Sequence, residues 1–247
     1  VPHTLAYRQV FTASPINSPT PRQCGDCSAR HVGLCDVLSD TDLSVLAHIA
    51  QRITIPAGKT FIEEGEPSTY LYDVNHGDVR VFKSLADGRR QITGFMGVGH
   101  FLGVSAGGKY AFTAEAMNEV HLCRFDRAAI KRVFDRFPAL ERRLLDVATH
   151  ELASAQEQML LLGRKTARER VASFLLAWSE RADSATTVHL PMSRMDLADY
   201  LGLTIETVSR SLSQLKRDSL ITFSDARFVT VLKPVRLRQI DGGEGRK

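Results

Sequence analysis

Between Arg52 and Phe125 apolar and polar positions change places over short runs, ITI, TFI, YLYDV, VRVF, QITGFM, FTAEAM and VHLCRF, and Gly58, Gly65, Gly77, Gly88 and Gly99 fall between them. A period of two predicts strands with one face buried, and about seven or eight of them at this regular spacing predict a small antiparallel barrel or jelly roll. Outside that block the period lengthens to that of helices. Residues 38–50, LSDTDLSVLAHIA, put Leu43, Leu46, Ala47 and Ile49 or Ala50 on one side, with Ser39 placed to cap. Residues 127–137, RAAIKRVFDRF, predict a second helix. Residues 166–181 predict a third, with Val171, Phe174, Leu175 and Trp178 at core spacing, and TVHLP after it reads as a strand.

The longest helical pattern covers residues 138–165, PALERRLLDVATHELASAQEQMLLLGRK. Leu145, Ala148, Leu152, Ala155, Met159 and Leu162 recur at alternating spacings of three and four, the a and d positions of a parallel coiled coil. A second copy of the chain is the simplest partner; the alternative is a helix lying on its own domain's core. The alanines let two backbones approach closely while keeping the association weak enough to be regulated.

After Ser193 the pattern becomes two short capped helices. Ser193 caps MDLADYLG with Asp196 at the capping-box position, Gly202 makes a tight turn, and Thr204 caps a helix running to about Asp218. That is a helix-turn-helix. In its second helix Val208, Leu212 and Leu215 form the inward stripe, leaving Glu206, Ser209 and Arg210 outward near the N-terminus, where side chains enter a major groove. Arg pairs bidentately with guanine O6 and N7, Glu accepts from cytosine N4, and Ser bonds several base edges. The alternative is a helical hairpin with a solvated charged face. Residues 220–223 and 227–232 read as two strands joined by SDA, a wing lying near a DNA backbone.

Composition narrows the class. With 247 residues, 43% hydrophobic and 24% charged, the chain matches an ordinary soluble protein of two domains. Residues 164–247 hold 15 Lys and Arg against 10 Asp and Glu, whereas residues 1–163 hold 17 against 18, so the positive excess sits after the long helix, which suits a C-terminal part that meets polyphosphate. Residues 1–22, with four of the nine prolines, read as an extended, mobile segment. No run of 18 apolar residues and no basic-then-apolar leader is present, so neither a membrane span nor a secretory signal is expected, and the location expected is cytoplasmic. No nucleophile–base–orienter set and no phosphate-cradling glycine loop suggests an enzyme. Cys24, Cys27 and Cys35 lie within twelve residues, with Cys123 far off in VHLCRF. Such a group in a cytoplasmic protein points to metal before disulfides, and the spacing leaves open an iron–sulfur cluster, a four-thiolate zinc site, a redox pair at Cys24 and Cys27, or plain thiols.

LYDVNHGDVRVF, then DGRRQITGFMGVGHFLG, then the long helix and the helix-turn-helix with its wing, resemble the CRP/FNR superfamily of bacterial transcription regulators over residues 24–232. The resemblance implies an α+β chain: a mobile segment (1–22), a cysteine segment with a cyclic-nucleotide-binding-like barrel or jelly-roll sensor (23–137), a dimerisation helix (138–163) and a winged helix-turn-helix (164–247). Glu206-x-x-Ser209-Arg210 looks like the reading motif of FNR-type members; CRP-type members have Arg where Ile205 stands and Gly where Ser209 stands. The implied site is TTGAT in inverted repeat with ATCAA, with Arg210 on the guanine and Glu206 on its cytosine. Lys109-Tyr110-Ala111 stands where cyclic-AMP-binding members carry phosphate ligands, so no cyclic nucleotide is expected. FNR-type oxygen sensors hold a 4Fe-4S cluster through three N-terminal cysteines and one in the barrel, which maps onto Cys24, Cys27, Cys35 and Cys123. The seven residues between Cys27 and Cys35 are similar to the rhizobial FnrN-like branch. Taken whole, the resemblance implies a homodimeric, oxygen-responsive activator that binds double-stranded DNA and works with RNA polymerase. The rivals are a cluster-free FixK-like regulator and a metal or redox protein whose C-terminal domain only docks.

Overall fold

The structure, a computed structural model, describes residues 19–20, 24–181, 187–225 and 227–243. The segment 1–22 expected to be mobile lies, apart from 19–20, outside the described residues. Two compact units emerge: the residues up to Lys83 with Gly94–His150, and Ser84–Thr93 with Glu151–Lys247.

The N-terminal strands form the double-sheet alternative of the two that the alternation allowed, rather than a closed barrel. Strands β1 (Ala50–Ile55), β2 (Thr60–Ile62), β3 (Tyr70–His76), β4 (Val79–Ser84), β5 (Arg90–Met96), β6 (Phe101–Leu102), β7 (Thr113–Ala116) and β8 (Val120–Asp126) make two four-stranded sheets, ordered β1-β8-β3-β6 and β2-β7-β4-β5. This is the strand order of a jelly roll. Of these, β6 was not distinguishable from sequence, because two residues show no alternation. Gly77, at φ +86, must be glycine, since a Cβ there would stand 2.4 Å from Glu119 O. The inner faces supply one core, with Ile53, Ile55, Tyr72, Val74, Val120 and Leu122.

A second core lies on the outer face of the β1-β8-β3-β6 sheet. Leu71, Phe101 and Phe125 meet Leu34 of a 3-10 turn (Leu34–Val37), Leu43 and Leu46 of α1 (Asp40–Ile49), Ile130 and Val133 of α2 (Arg127–Arg136), and Leu140 at the start of α3. Ser39 caps α1 as expected, its hydroxyl accepting from Asp42 N. Cys24, Cys35 and Cys123 pack against this core, so the alternation that buries Phe125 also presents Cys123 to the cysteine segment.

Helix α3 is continuous over Pro138–Arg164. Leu145, Leu152 and Met159 are 66%, 60% and 65% exposed, and Ala148 and Ala155 are exposed too, so most of the expected seam is uncovered within one chain. Leu162 differs: it is half-buried, and its Cδ2 lies 3.0 Å from where a Cβ on Gly202 would stand.

In the second unit α4 (Ala167–Arg181) buries Val171, Phe174 and Leu175. Trp178 sits at the rim rather than the centre, half-buried, stacked on Phe174 and donating its indole N–H to His189 O at 2.9 Å. Strand β9 (Thr187–His189) joins β10 (Ile221–Phe223) and β11 (Phe228–Val231) in the order β10-β11-β9, and the helix-turn-helix is α5 (Arg194–Leu201) and α6 (Ile205–Arg217). A short α7 (Pro234–Asp241) follows.

Candidate functional site

Two groups of residues stand out, one in each unit. In the second, the Ser193–Asp196 capping box is formed and Gly202 turns the chain at φ +60. Thr204 caps α6, its hydroxyl accepting from Thr207 N at 3.3 Å. With Val208, Leu212 and Leu215 buried, Glu206, Ser209 and Arg210 are exposed together on the opposite face, as the helical spacing required. The Glu206 carboxyl is held below the usual carboxylate range by its own backbone N–H, then by the Thr204 hydroxyl and the nearby Arg210 guanidinium. Arg210 Nη2 also reaches Thr207 Oγ1 at 3.4 Å. Thr204 and Thr207 therefore orient both charged side chains of this face, a role that cap spacing hinted at but that i, i+3 counting of charges passed over. The wing is β10 paired antiparallel with β11, Thr222 facing Thr230.

In the first unit the four cysteines are free thiols, each half-buried. Successive turn bonds fold their segment: Cys27 N donates to Cys24 O, and Arg30 N to Cys27 O. The buried Arg30 then fixes the far end, donating to Cys35 O and Leu38 O, both at 2.6 Å. Under the segment Arg52 of β1, Cys123 of β8 and Asp73 of β3 stand in one row across three strands. Asn75, two residues along β3 on the same face, donates Nδ2 to Cys123 Sγ at 3.1 Å. The thiols act on one another through space: Cys24, Cys27 and Cys123 all press on Cys35. Burial raises the Cys24 and Cys35 thiols and pushes Cys123 up to about 11, with Asn75 pulling Cys123 partly back.

No three His, Cys, Asp or Glu among the described residues converge closely enough for a single ion. Cys24, Cys35 and Cys123 border one apolar core and Cys27 lies near enough to act on Cys35; four thiolates are the number of donors that a four-iron cluster takes. Arg30, Arg52, Asp73 and Asn75, which surround the thiols, were not picked out from sequence. Reading YLYDVNH with a period of two puts Asp73 and Asn75 on one face of β3, but which β8 residues oppose them depends on pairing register.

Tyr110, in the segment Lys109-Tyr110-Ala111, is buried and donates its hydroxyl to Tyr70 O at 2.9 Å.

A jelly-roll domain, a long helix and a winged helix-turn-helix with exposed Glu, Ser and Arg define a DNA-binding regulator. Residues 169–240 match the Crp-like helix-turn-helix domain and residues 52–137 the cyclic nucleotide-binding domain. The chain is 40% identical to the nitrogen fixation regulation protein FixK of Bradyrhizobium diazoefficiens, covering 90% of this chain and 95% of that one. To the transcriptional activator protein FnrL of Cereibacter sphaeroides it is 37% identical, over 90% and 93%. The solved structure of FixK2 from Bradyrhizobium japonicum superposes with a TM-score of 0.75 at 40% identity, covering 78% of this chain and 98% of that one. The chain belongs to the CRP/FNR family of transcription regulators, and it is a DNA-binding regulator, not an enzyme. Among the described residues no helix is long and apolar enough to cross a membrane.

Proposed function

We propose that this chain is an oxygen-responsive regulator of the FNR type, in which Cys24, Cys27, Cys35 and Cys123 hold a 4Fe-4S cluster and two chains pair through α3 to bind a TTGAT inverted repeat. The observation that carries this is the folding of three cysteines from one short segment over the strand that presents the fourth. When bound, such a cluster supplies an oxygen-labile crosslink between that segment and the sheet. The chain's own residues do the rest: Arg30 shapes the loop, Asn75 favours the Cys123 thiolate, and the protonated thiols release protons on binding iron. A dimer places two α6 helices in successive major grooves, and such an activator meets RNA polymerase in the cytoplasm.

Isolation without air should yield about four iron and four sulfide per chain, and Cys24→Ala should empty the site. Stoichiometric zinc with no sulfide would overturn the reading. The likeness to FixK supports a second reading, a regulator that works without a cluster; the same measurement separates the two, since a cluster-free regulator isolated without air yields neither iron nor sulfide.

Arg143 supplies a mechanical link. Its Nη2 donates to Val32 O at 3.1 Å and its Nε to Gly33 O at 3.5 Å, so a guanidinium on α3 holds the loop between Cys27 and Cys35 two residues before the Leu145 seam position. Arg143→Ala should leave iron and sulfide content unchanged while weakening cluster-dependent dimerisation several-fold, as read by sedimentation. Equal dimerisation in variant and wild type would remove Arg143 from the link.

A further inference from the structure

Asp73 is a buried acid that the fold's own bonding does not account for. It is 2% exposed, on the face of β3 that otherwise buries Leu71, and its Oδ1 has no hydrogen-bond partner among the described residues. Both its oxygens lie 3.2 Å from where a Cβ on Gly33 would stand, and Cys123 is its direct neighbour across the β3–β8 ladder. The carboxyl is thus wedged between the Gly33–Cys35 turn and Cys123, and its charge acts on Cys35 and on Cys123. A carboxyl buried this far with an oxygen unpaired is costly unless a cation meets it.

We propose that Asp73 is a fifth donor of the cysteine site, a carboxylate that ligates iron in place of one of the two thiolates beside it, Cys35 or Cys123. This rests on the cluster reading above. A four-iron cube takes one protein donor per iron, so five donors leave one corner with two claimants. In the exchange one iron–sulfur bond gives way to one iron–oxygen bond, and the released thiolate takes up a proton from water. Iron in such a cluster prefers soft thiolate to hard carboxylate, which makes the shared corner the one that opens first.

The test is anaerobic reconstitution with ferrous iron and sulfide, read as iron and sulfide per chain and as the visible absorption band. Cys35→Ala or Cys123→Ala should keep at least half of the wild-type iron, and adding Asp73→Asn should empty that variant. Cys24→Ala, whose thiol Asp73 does not flank, should be empty with or without Asp73. In the wild-type background Asp73→Asn should slow bleaching of the band in air several-fold, because the competitor for the weak corner is gone. If the double variants keep as much iron as the single ones, or if Cys35→Ala and Cys123→Ala are as empty as Cys24→Ala, the proposal fails. If wild type takes up no iron, the cluster reading fails and this one with it. Asp73→Ser, which also removes the carboxylate, should reproduce every Asp73→Asn result, and circular dichroism of the metal-free variants should match wild type; agreement of the two variants separates loss of a donor from loss of fold.

Discussion

Arg210→Ala should weaken binding to a TTGAT inverted repeat by about 1–3 kcal/mol per half-site and relax preference at the guanine. The expectation rests on where α6 puts the side chain. Val208, Leu212 and Leu215 are buried and fix the rotation of the helix, so Arg210 and Glu206, one turn apart, both project outward. Thr207 steadies the guanidinium and Thr204 the carboxylate, before any DNA arrives. A guanidinium held in place loses less freedom on forming two bonds to guanine O6 and N7 than a free one does. The measurement is a binding series against the consensus repeat and the three substitutions at its G·C pair. Loss confined to the G·C-containing sites assigns Arg210 to that base; an even loss over all sites assigns it to a phosphate. Lys in place of Arg should recover general affinity without the discrimination, since an ammonium lacks the planar fork.

The reading half was legible because its signals are local. Caps at Ser193 and Thr204, a glycine at φ +60 and an apolar stripe at helical spacing each need only neighbouring residues to be recognised. The jelly roll was legible as alternation between glycines, yet its strand order was not, because register and pairing are set by contacts far apart in sequence. The same cause hid the surroundings of the thiols. Arg52, Cys123 and Asp73 are one row in space, but 71 residues separate Arg52 from Cys123, and no local pattern announces that they meet. Arg30 was passed over for another reason: a buried Arg that bonds two backbone carbonyls looks, in sequence, like any surface cation. Leu162 shows the limit of a heptad, which places a side chain on a face without saying that the face turns back onto its own chain near Gly202.

Leu152→Ala should break the dimer, raising its dissociation constant by roughly thirty-fold to several-thousand-fold. Leu152 is the central large position of the seam and is 60% exposed in the single chain, so pairing has apolar surface left to cover there. Fully burying such a side chain contributes about 1.5–3 kcal/mol. Truncation acts on both chains at once, for a combined loss of about 2–5 kcal/mol, which is the range of dissociation constants just given. Leu160→Ala is the control that gives the result meaning: Leu160 is almost as exposed, at 57%, but lies one residue beyond Met159 and off the a/d seam. It should change the constant little. Gln156 is exposed, and the proposed register puts it at an e position facing Glu151 of a second chain, which gives an independent check of register in the opposite direction. Gln156→Lys adds two Glu–Lys pairs of a few tenths to about 1 kcal/mol each and should tighten the dimer by a few-fold to about thirty-fold. Sedimentation of the cluster-loaded protein over a concentration series reads all three variants. Equal losses at 152 and 160, with no gain at 156, would mean that α3 pairs through a different face, and the heptad register through Leu145, Leu152 and Met159 would have to be given up.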